Sequence, residues 1–358
     1  RAAVALFGAE TGKKSKVTGT PREAVAQLAS LSMTKFDEDG DAVVTHRVVQ
    51  EILRNSIPRR RCMTWIAYAL AMLDNAAPFE SQDVSTWPRW NPLCGHVATC
   101  VHFANAHGIV EPSVRLMNDL AMLLFTKALH ADAEPLMRRV LIINKKCFGS
   151  EHPNYAISLN NLALLLGETN QLAKAEPLMR RALTVDEKCF GPVHPKVASS
   201  LNNLATLLQG TDRLAEAEPL IRRALAIVEK NLGPDHLDVA AKLNNLALLL
   251  EKTERLAEAE SLMRRALAIT EKKLGSEHPK VAVGLNNLAL LLQTTKRLPE
   301  AEPLVRRALA IFEKHFGSNH PSVAVGLGSL AGLLEATRRR TEAEQLMRRA
   351  LVITENSL

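Results

Sequence analysis

Four groups of residues in this 358-residue chain have the types that chemistry requires, and their spacing decides what each is. Gly8-Ala9-Glu10-Thr11-Gly12-Lys13-Lys14-Ser15 invites comparison with a phosphate-cradling loop. Such a loop needs four residues between its glycines and a Lys followed directly by Ser or Thr. Here three residues intervene and Lys14 follows Lys13, so residues 1–21 read as a disordered leader. Asp37, Asp39 and Asp41 have the spacing that opens a calcium loop. Gly40 stands at the fourth position instead of the sixth, and Val48 at the place of the closing glutamate, so a hairpin turn is the better reading. Cys94, His96, Cys100 and His102 suggest zinc, but only His96 and Cys100 share a helical face and no Cys-x-x-Cys is present. No metal site and no cofactor is expected. Cys147 and Cys189 stand 42 residues apart, too far to bridge if that interval is one structural unit.

Two further rows share that interval. His152, His194, His236, His278 and His320 each precede a helix start, so loop-to-helix anchoring is favoured over a catalytic or proton-sensing row. Arg138-Arg139, Arg180-Arg181, Arg222-Arg223, Arg264-Arg265, Arg306-Arg307 and Arg348-Arg349 form a basic series. The first Arg of each pair has a Glu four residues earlier, the favourable order on a helix. Half of the series is thereby neutralised and few aromatics interleave with it, which speaks against nucleic acid. No nucleophile–base pair or acid/base dyad remains, so enzymatic activity is not expected.

The elements that carry these rows follow from one phrase. Leu-Asn-Asn-Leu-Ala begins at Leu159, Leu201, Leu243 and Leu285, always 42 residues apart, with a weaker copy at Leu116. A period of this size means stacked supersecondary units, which make a surface rather than a cleft. In one unit, His194-Pro195 opens a helix whose apolar face is Val197, Leu201, Leu204, Ala205 and Leu208. The polar segment 209–213 breaks the pattern. A second helix carries Leu214, Ala217, Leu220, Ile221, Ala224, Leu225 and Val228, and Gly233 is expected to end it in a left-handed conformation. The columns Ala163, Ala205, Ala247, Ala289, Ala331 and Ala175, Ala217, Ala259, Ala301, Ala343 read as close-approach positions of the two helices.

Composition agrees with stacked helices. Hydrophobic content is 47% with aromatics at 4%, so the core must be aliphatic. The net charge of +7 is modest for the length and names no partner. Five unframed cysteines and the lack of a signal-peptide profile or a long apolar run imply a cytoplasmic protein with no membrane contact. A chain opening on Arg1 reads as a fragment or processed product.

Together these columns resemble the 42-residue tetratricopeptide repeats of kinesin light chains and nephrocystin-like bacterial proteins. The resemblance covers residues 111–358 and implies an all-α, right-handed superhelical solenoid of six helix pairs. Such folds line a concave groove with the first helix of each pair. In that helix Ile157, Asn161, Leu164 and Glu168 form the stripe complementary to the buried one. The resemblance therefore implies a peptide-binding groove at Asn161 and Leu164, Asn203 and Thr206, Asn245 and Leu248, and Asn287 and Leu290. An amide donates and accepts, which suits a peptide main chain, and the apolar neighbours imply a partner with hydrophobic anchors. The alternative is that one or both asparagines of each phrase tie adjacent helices together, which is the favoured reading for Asn160, Asn202, Asn244 and Asn286. Asp119 and Ser329 depart from the pattern at the two ends.

Residues 22–58 read as helix, hairpin and helix, and the run Thr45 to Leu53 resembles the end of the winged-helix module in bacterial STAND (NB-ARC-like) signalling ATPases. Residues 59–110 read as a helical connector, with Trp87-Pro88-Arg89-Trp90 as a rigid turn. The leading expectation is a non-catalytic protein–protein interaction scaffold. The alternative is the ligand-sensing arm of a STAND ATPase whose nucleotide-binding domain is missing from this chain. The last phrase breaks to Gly328-Ser329 and no polar cap follows, so continuation of the array or self-association through its last repeat is also expected.

Overall fold

The computed structural model describes residues 34–36, 43–45, 59–78, 80–82, 86–110 and 112–355. They fall into two compact units: the described residues up to Leu116 other than 80–82, and 80–82 together with everything from Met117 onward.

In the first unit, β1 (Thr34–Phe36) and β2 (Val43–Thr45) pair antiparallel, with Thr34 opposite Thr45 and Phe36 opposite Val43. This is the hairpin that the sequence suggests. The leader and the flanking helices on which a winged-helix reading depends lie outside the described residues, as does the candidate phosphate loop. α1 (Arg59–Ala76) packs on α3 (Cys94–His107). Between them in sequence, Trp87–Trp90 is a single helical turn (α2) with Pro88 near its start, where a missing N–H costs nothing. The rigid turn expected of these residues is one turn of helix. Leu70, Trp90 and Val97 are fully buried.

From Met117 on, the second unit is built of six helix pairs, the first helix of which begins at Ser113. Their first helices are α4 (Ser113–Thr126), α6 (Pro153–Glu168), α8 (Pro195–Gly210), α10 (Leu237–Lys252), α12 (Pro279–Thr294) and α14 (Pro321–Ala336). Their second helices are α5 (His130–Phe148), α7 (Leu172–Phe190), α9 (Leu214–Leu232), α11 (Leu256–Leu274), α13 (Leu298–Phe316) and α15 (Arg340–Glu355). The fold is an all-α solenoid.

Two kinds of turn produce the repeat, and neither is quite the one the sequence implies. After each second helix from α5 to α13 a glycine has φ between 81° and 87° and ψ between 156° and 173°. This is not the left-handed helical conformation expected of Gly233 but an extended region with positive φ that only glycine enters easily. The left-handed conformation falls instead inside each pair, at Ala128, Asn170, Asp212, Glu254, Lys296 and Arg338, with φ between 57° and 63°. No glycine marks it, so the polar break gave no warning of it.

Packing has two layers. One continuous seam runs through all six pairs, built from rows such as Leu162, Leu204, Leu246, Leu288 and Leu330 against Met179, Ile221, Met263 and Val305. All ten alanines of the two predicted columns lie in it, each at most 1% exposed. From α6 onward the second layer of the described residues falls into separate clusters, within α6–α7, across α8–α11 and across α12–α15. At the last helix the seam is open: Met347 is 47% exposed where Val305, in the same column, is fully buried.

Candidate functional site

The first helices place the asparagines where adjacent pairs meet. Asn161 Nδ2 donates to Asn118 Oδ1 at 2.9 Å, Asn245 to Asn202 at 2.8 Å, and Asn287 to Asn244 at 3.3 Å. The second amide of one phrase thus reaches the first amide of the phrase before it. Both asparagines join the first helices into a ladder, whereas the sequence favours that role for the first alone. The bond uses one N–H of the second asparagine, leaving its other N–H and its carbonyl outside the ladder.

The ladder breaks twice. Asn160 turns its Nδ2 to Ser200 Oγ at 3.0 Å, so the Asn203 side chain makes no hydrogen bond among the described residues and the buried Asn160 Oδ1 has no partner. At the other break Ser329 replaces the asparagine and donates to Val325 O, leaving Asn286 Oδ1 buried and unpartnered. Beside these amides the same helices leave aliphatic side chains uncovered: Ile157 is 44% exposed, Val283 49%, Leu290 40% and Val325 60%. Leu164 and Leu248 are half-buried, and Thr206 is exposed with its hydroxyl donating to Asn202 O. The predicted row therefore forms a polar centre on α8 with a more apolar stretch over α12 and α14.

Ser200 belongs to a buried polar group that the periodicity hid. Its hydroxyl donates to Asp186 Oδ2 at 2.5 Å, and burial pushes the Asp186 carboxyl above its ordinary range despite that bond. One repeat earlier Asn144 Nδ2 donates to Ser158 Oγ at 2.7 Å. Later repeats carry Val228 with Lys242, Thr270 with Gly284, and Phe312 with Gly326 in the same columns. The only sequence signal was a polar residue in a core column.

The arginines form a structural lattice. Each first Arg bonds its Glu within the helix at 2.7–2.8 Å, as the spacing predicts. The second Arg is also engaged, which the sequence did not indicate. Arg223, Arg265, Arg307 and Arg349 reach Glu187, Glu229, Glu271 and Glu313 on the preceding second helix at 2.7–2.8 Å. A third set, Arg213, Arg255, Arg297 and Arg339, bridges to Glu176, Glu218, Glu260 and Glu302. The hydrogen bond from Arg264 holds the Glu260 carboxyl below the usual range. Little uncompensated positive charge remains on this ridge for a phosphate backbone.

The histidines cap helices. Nδ1 of His152, His194, His236, His278 and His320 accepts from the backbone N–H two residues on, at 3.1–3.2 Å. His96 and Cys100 lie on α3, where Cys94 donates its thiol to Trp90 O and burial raises the Cys100 thiol. Among the described residues no three His, Cys, Asp or Glu side chains converge as metal ligands. Cys147 and Cys189 are exposed and unpaired. Among the same residues no helix is long and apolar enough to cross a membrane.

Stacked helix pairs that expose a row of amides and aliphatics define a repeat scaffold that makes a surface. The tetratricopeptide repeat family model matches residues 113–188, 196–272, 238–314 and 280–356, well over half of the chain. The chain belongs to that family. It is similar to a kinesin light chain-type protein of Podosopora anserina with nearly identical tetratricopeptide-like repeats. That structure is 27% identical with a TM-score of 0.50, covering 57% of this chain and 97% of its own. BtubC (BKLC) from P. vanneervenii is 24% identical, TM-score 0.52, over 64% of this chain and 89% of that one. The apo form of RapI is 13% identical, TM-score 0.56, over 73% and 92%. These last two likenesses show the fold alone. No curated protein matches the chain. Tetratricopeptide arrays are protein–protein interaction scaffolds and in general non-catalytic.

Proposed function

We propose that the array binds an extended peptide segment of a protein partner along the first-helix face, on Asn161, Leu164, Asn203, Thr206, Asn245, Leu248, Asn287 and Leu290. The observation that carries this reading is the coincidence of spare amide capacity and exposed aliphatics on one row of helices. Asn203 has its whole amide available, and Val283, Leu290 and Val325 stand uncovered a short distance along the array. A peptide main chain offers the N–H and C=O groups that such amides pair with, and β-branched or leucine side chains at alternate positions fit the aliphatics. The partner is thus a segment with apolar anchors toward α12 and α14 and little side-chain demand at α8. The compensated arginine lattice supports a protein partner over nucleic acid.

The test is selection of a random peptide display library on the full chain, followed by titration of the enriched peptides. Enriched sequences should carry paired aliphatic residues. The double variant Asn203→Ala with Asn245→Ala should weaken them at least about tenfold, the loss of one to two buried hydrogen bonds. Unchanged affinity at native helicity would remove the asparagines from the site. An equal loss of thermal stability would return them to a purely architectural role.

A further inference from the structure

We propose that the junction between α11 and α12 is an acid-labile hinge, released when His278 is protonated. All five capping histidines share one geometry, with extended backbone at the cap and Nδ1 accepting the N–H two residues on. That bond exists only while Nδ1 keeps its lone pair, with the ring proton on Nε2. A proton on Nδ1 abolishes the acceptor and sets a positive charge at the positive end of the helix dipole. Acid therefore removes a cap and replaces it with repulsion.

The five sites differ in what compensates. His152, His194 and His320 stack on Phe148, Phe190 and Phe316 with ring centroids 4.3–4.8 Å apart, so each ring is held against an aromatic face. His194 also interacts with the Asp186 carboxylate. His236 has no aromatic neighbour among the described residues, but Asp238 Oδ2 lies 3.7 Å from its Nδ1. His278 has neither. The residue four before it is Leu274, Lys280 stands where Asp238 stands one repeat earlier, and His315 on α13 is 6.5 Å away ring to ring. The adjacent carboxylate, Glu277, is 3.2 Å from Lys314 Nζ. Lys272 and Lys273 in the last turn of α11 add further positive charge. Burial pushes the His278 imidazole below its ordinary range, and Lys280 and His315 push the same way.

Core packing points independently to the same junction. The buried second-layer clusters divide at this junction, one ending at Ile269 on α11 and the next beginning at Val281 on α12, with partly buried Leu267 of α11 the side chain that packs across. An added Cβ at Gly284 would meet Leu267 Cδ1 at 3.3 Å, so on this side a single leucine seated against a glycine closes the junction. In a one-dimensional array one interface can open while the repeats on either side remain folded. The sign follows from the depressed titration of the folded ring. The cap stabilises fully above the unfolded histidine pKa near 6.5 and is lost as pH falls through the lower folded value. The hinge lies between Asn245 and Asn287, so on the proposed peptide reading its opening would divide the binding row.

Hydrogen exchange of the full chain, compared at pH 7.5 and 5.5 after correction for intrinsic rates, tests this. Amides in the first turns of α12 should lose protection by about tenfold or more, while those of α8 and α10 change far less. His278→Asn keeps a neutral cap and should abolish the difference. Lys280→Asp copies the surroundings of His236 and should reduce it. Equal loss at all five caps, or an undiminished loss in both variants, would overturn the proposal.

Discussion

The seam and the second layer of the array are built from the same helices yet behave as different materials. The seam repeats the same small and large aliphatics in every pair, and it runs unbroken through all six. The second layer, beside the histidine-capped ends, changes chemistry from pair to pair and breaks into separate clusters from α6 onward. Between the first two of these lies Asp186 with Ser200, and between the last two lie Thr270 and Gly284. Identical repeats give continuity because each interface is a copy of the last. Where columns diverge, each interface must be solved separately, and polar or small residues enter. The seam thus carries cohesion, while the second layer decides where the array is weak.

The largest effect that would break this contrast is a cavity in the seam. Leu246→Ala, at a residue 1% exposed, should cost roughly 2–5 kcal/mol in urea unfolding, and Ala247→Leu should cost roughly 1–3 kcal/mol by overpacking. If Val239→Ala in the second layer costs as much as Leu246→Ala, the two layers are not distinct.

Asp186→Asn comes next, because it copies the neutral Asn144 of the preceding repeat. A carboxyl whose folded pKa is raised favours folding when protonated, so its cost is present at neutral pH and fades as pH falls through that value. The variant should be more stable at pH 7 by on the order of 1 kcal/mol, converging with the parent toward pH 4. A difference independent of pH would assign the effect to packing. This sign is opposite to that of the His278 cap, so neutral pH weakens one junction and acid the other.

Smaller again is Lys296→Gly, which relieves a left-handed conformation with φ of 59°. It should stabilise by about 0.5–1 kcal/mol, the strain relieved less the added chain entropy. Last, Arg264→Ala removes an exposed pair with Glu260 and should cost less than about 0.5 kcal/mol, an amount erased by salt. A larger loss would show that the arginine lattice acts as a network.

Much of this architecture was legible in the chain. The 42-residue interval, the alanine columns and the Glu–Arg spacing are local patterns, and each names its own helix face. Periodicity also located the anchoring role of the histidines, though not the atom that performs it. The second arginines, the ladder between Asn161 and Asn118, and the positive φ at Lys296 were not legible. Each depends on a partner one repeat away or on a backbone angle that no residue type marks.

Repetition along the chain by itself determined that helices pair, that they stack, and which stripe is buried, because hydrophobic spacing and close-approach alanines admit one packing. Only the tertiary structure decided which amides are spent between helices and which are spare, and where the second layer parts. Those are properties of contacts between repeats, set by how far one side chain reaches toward the next.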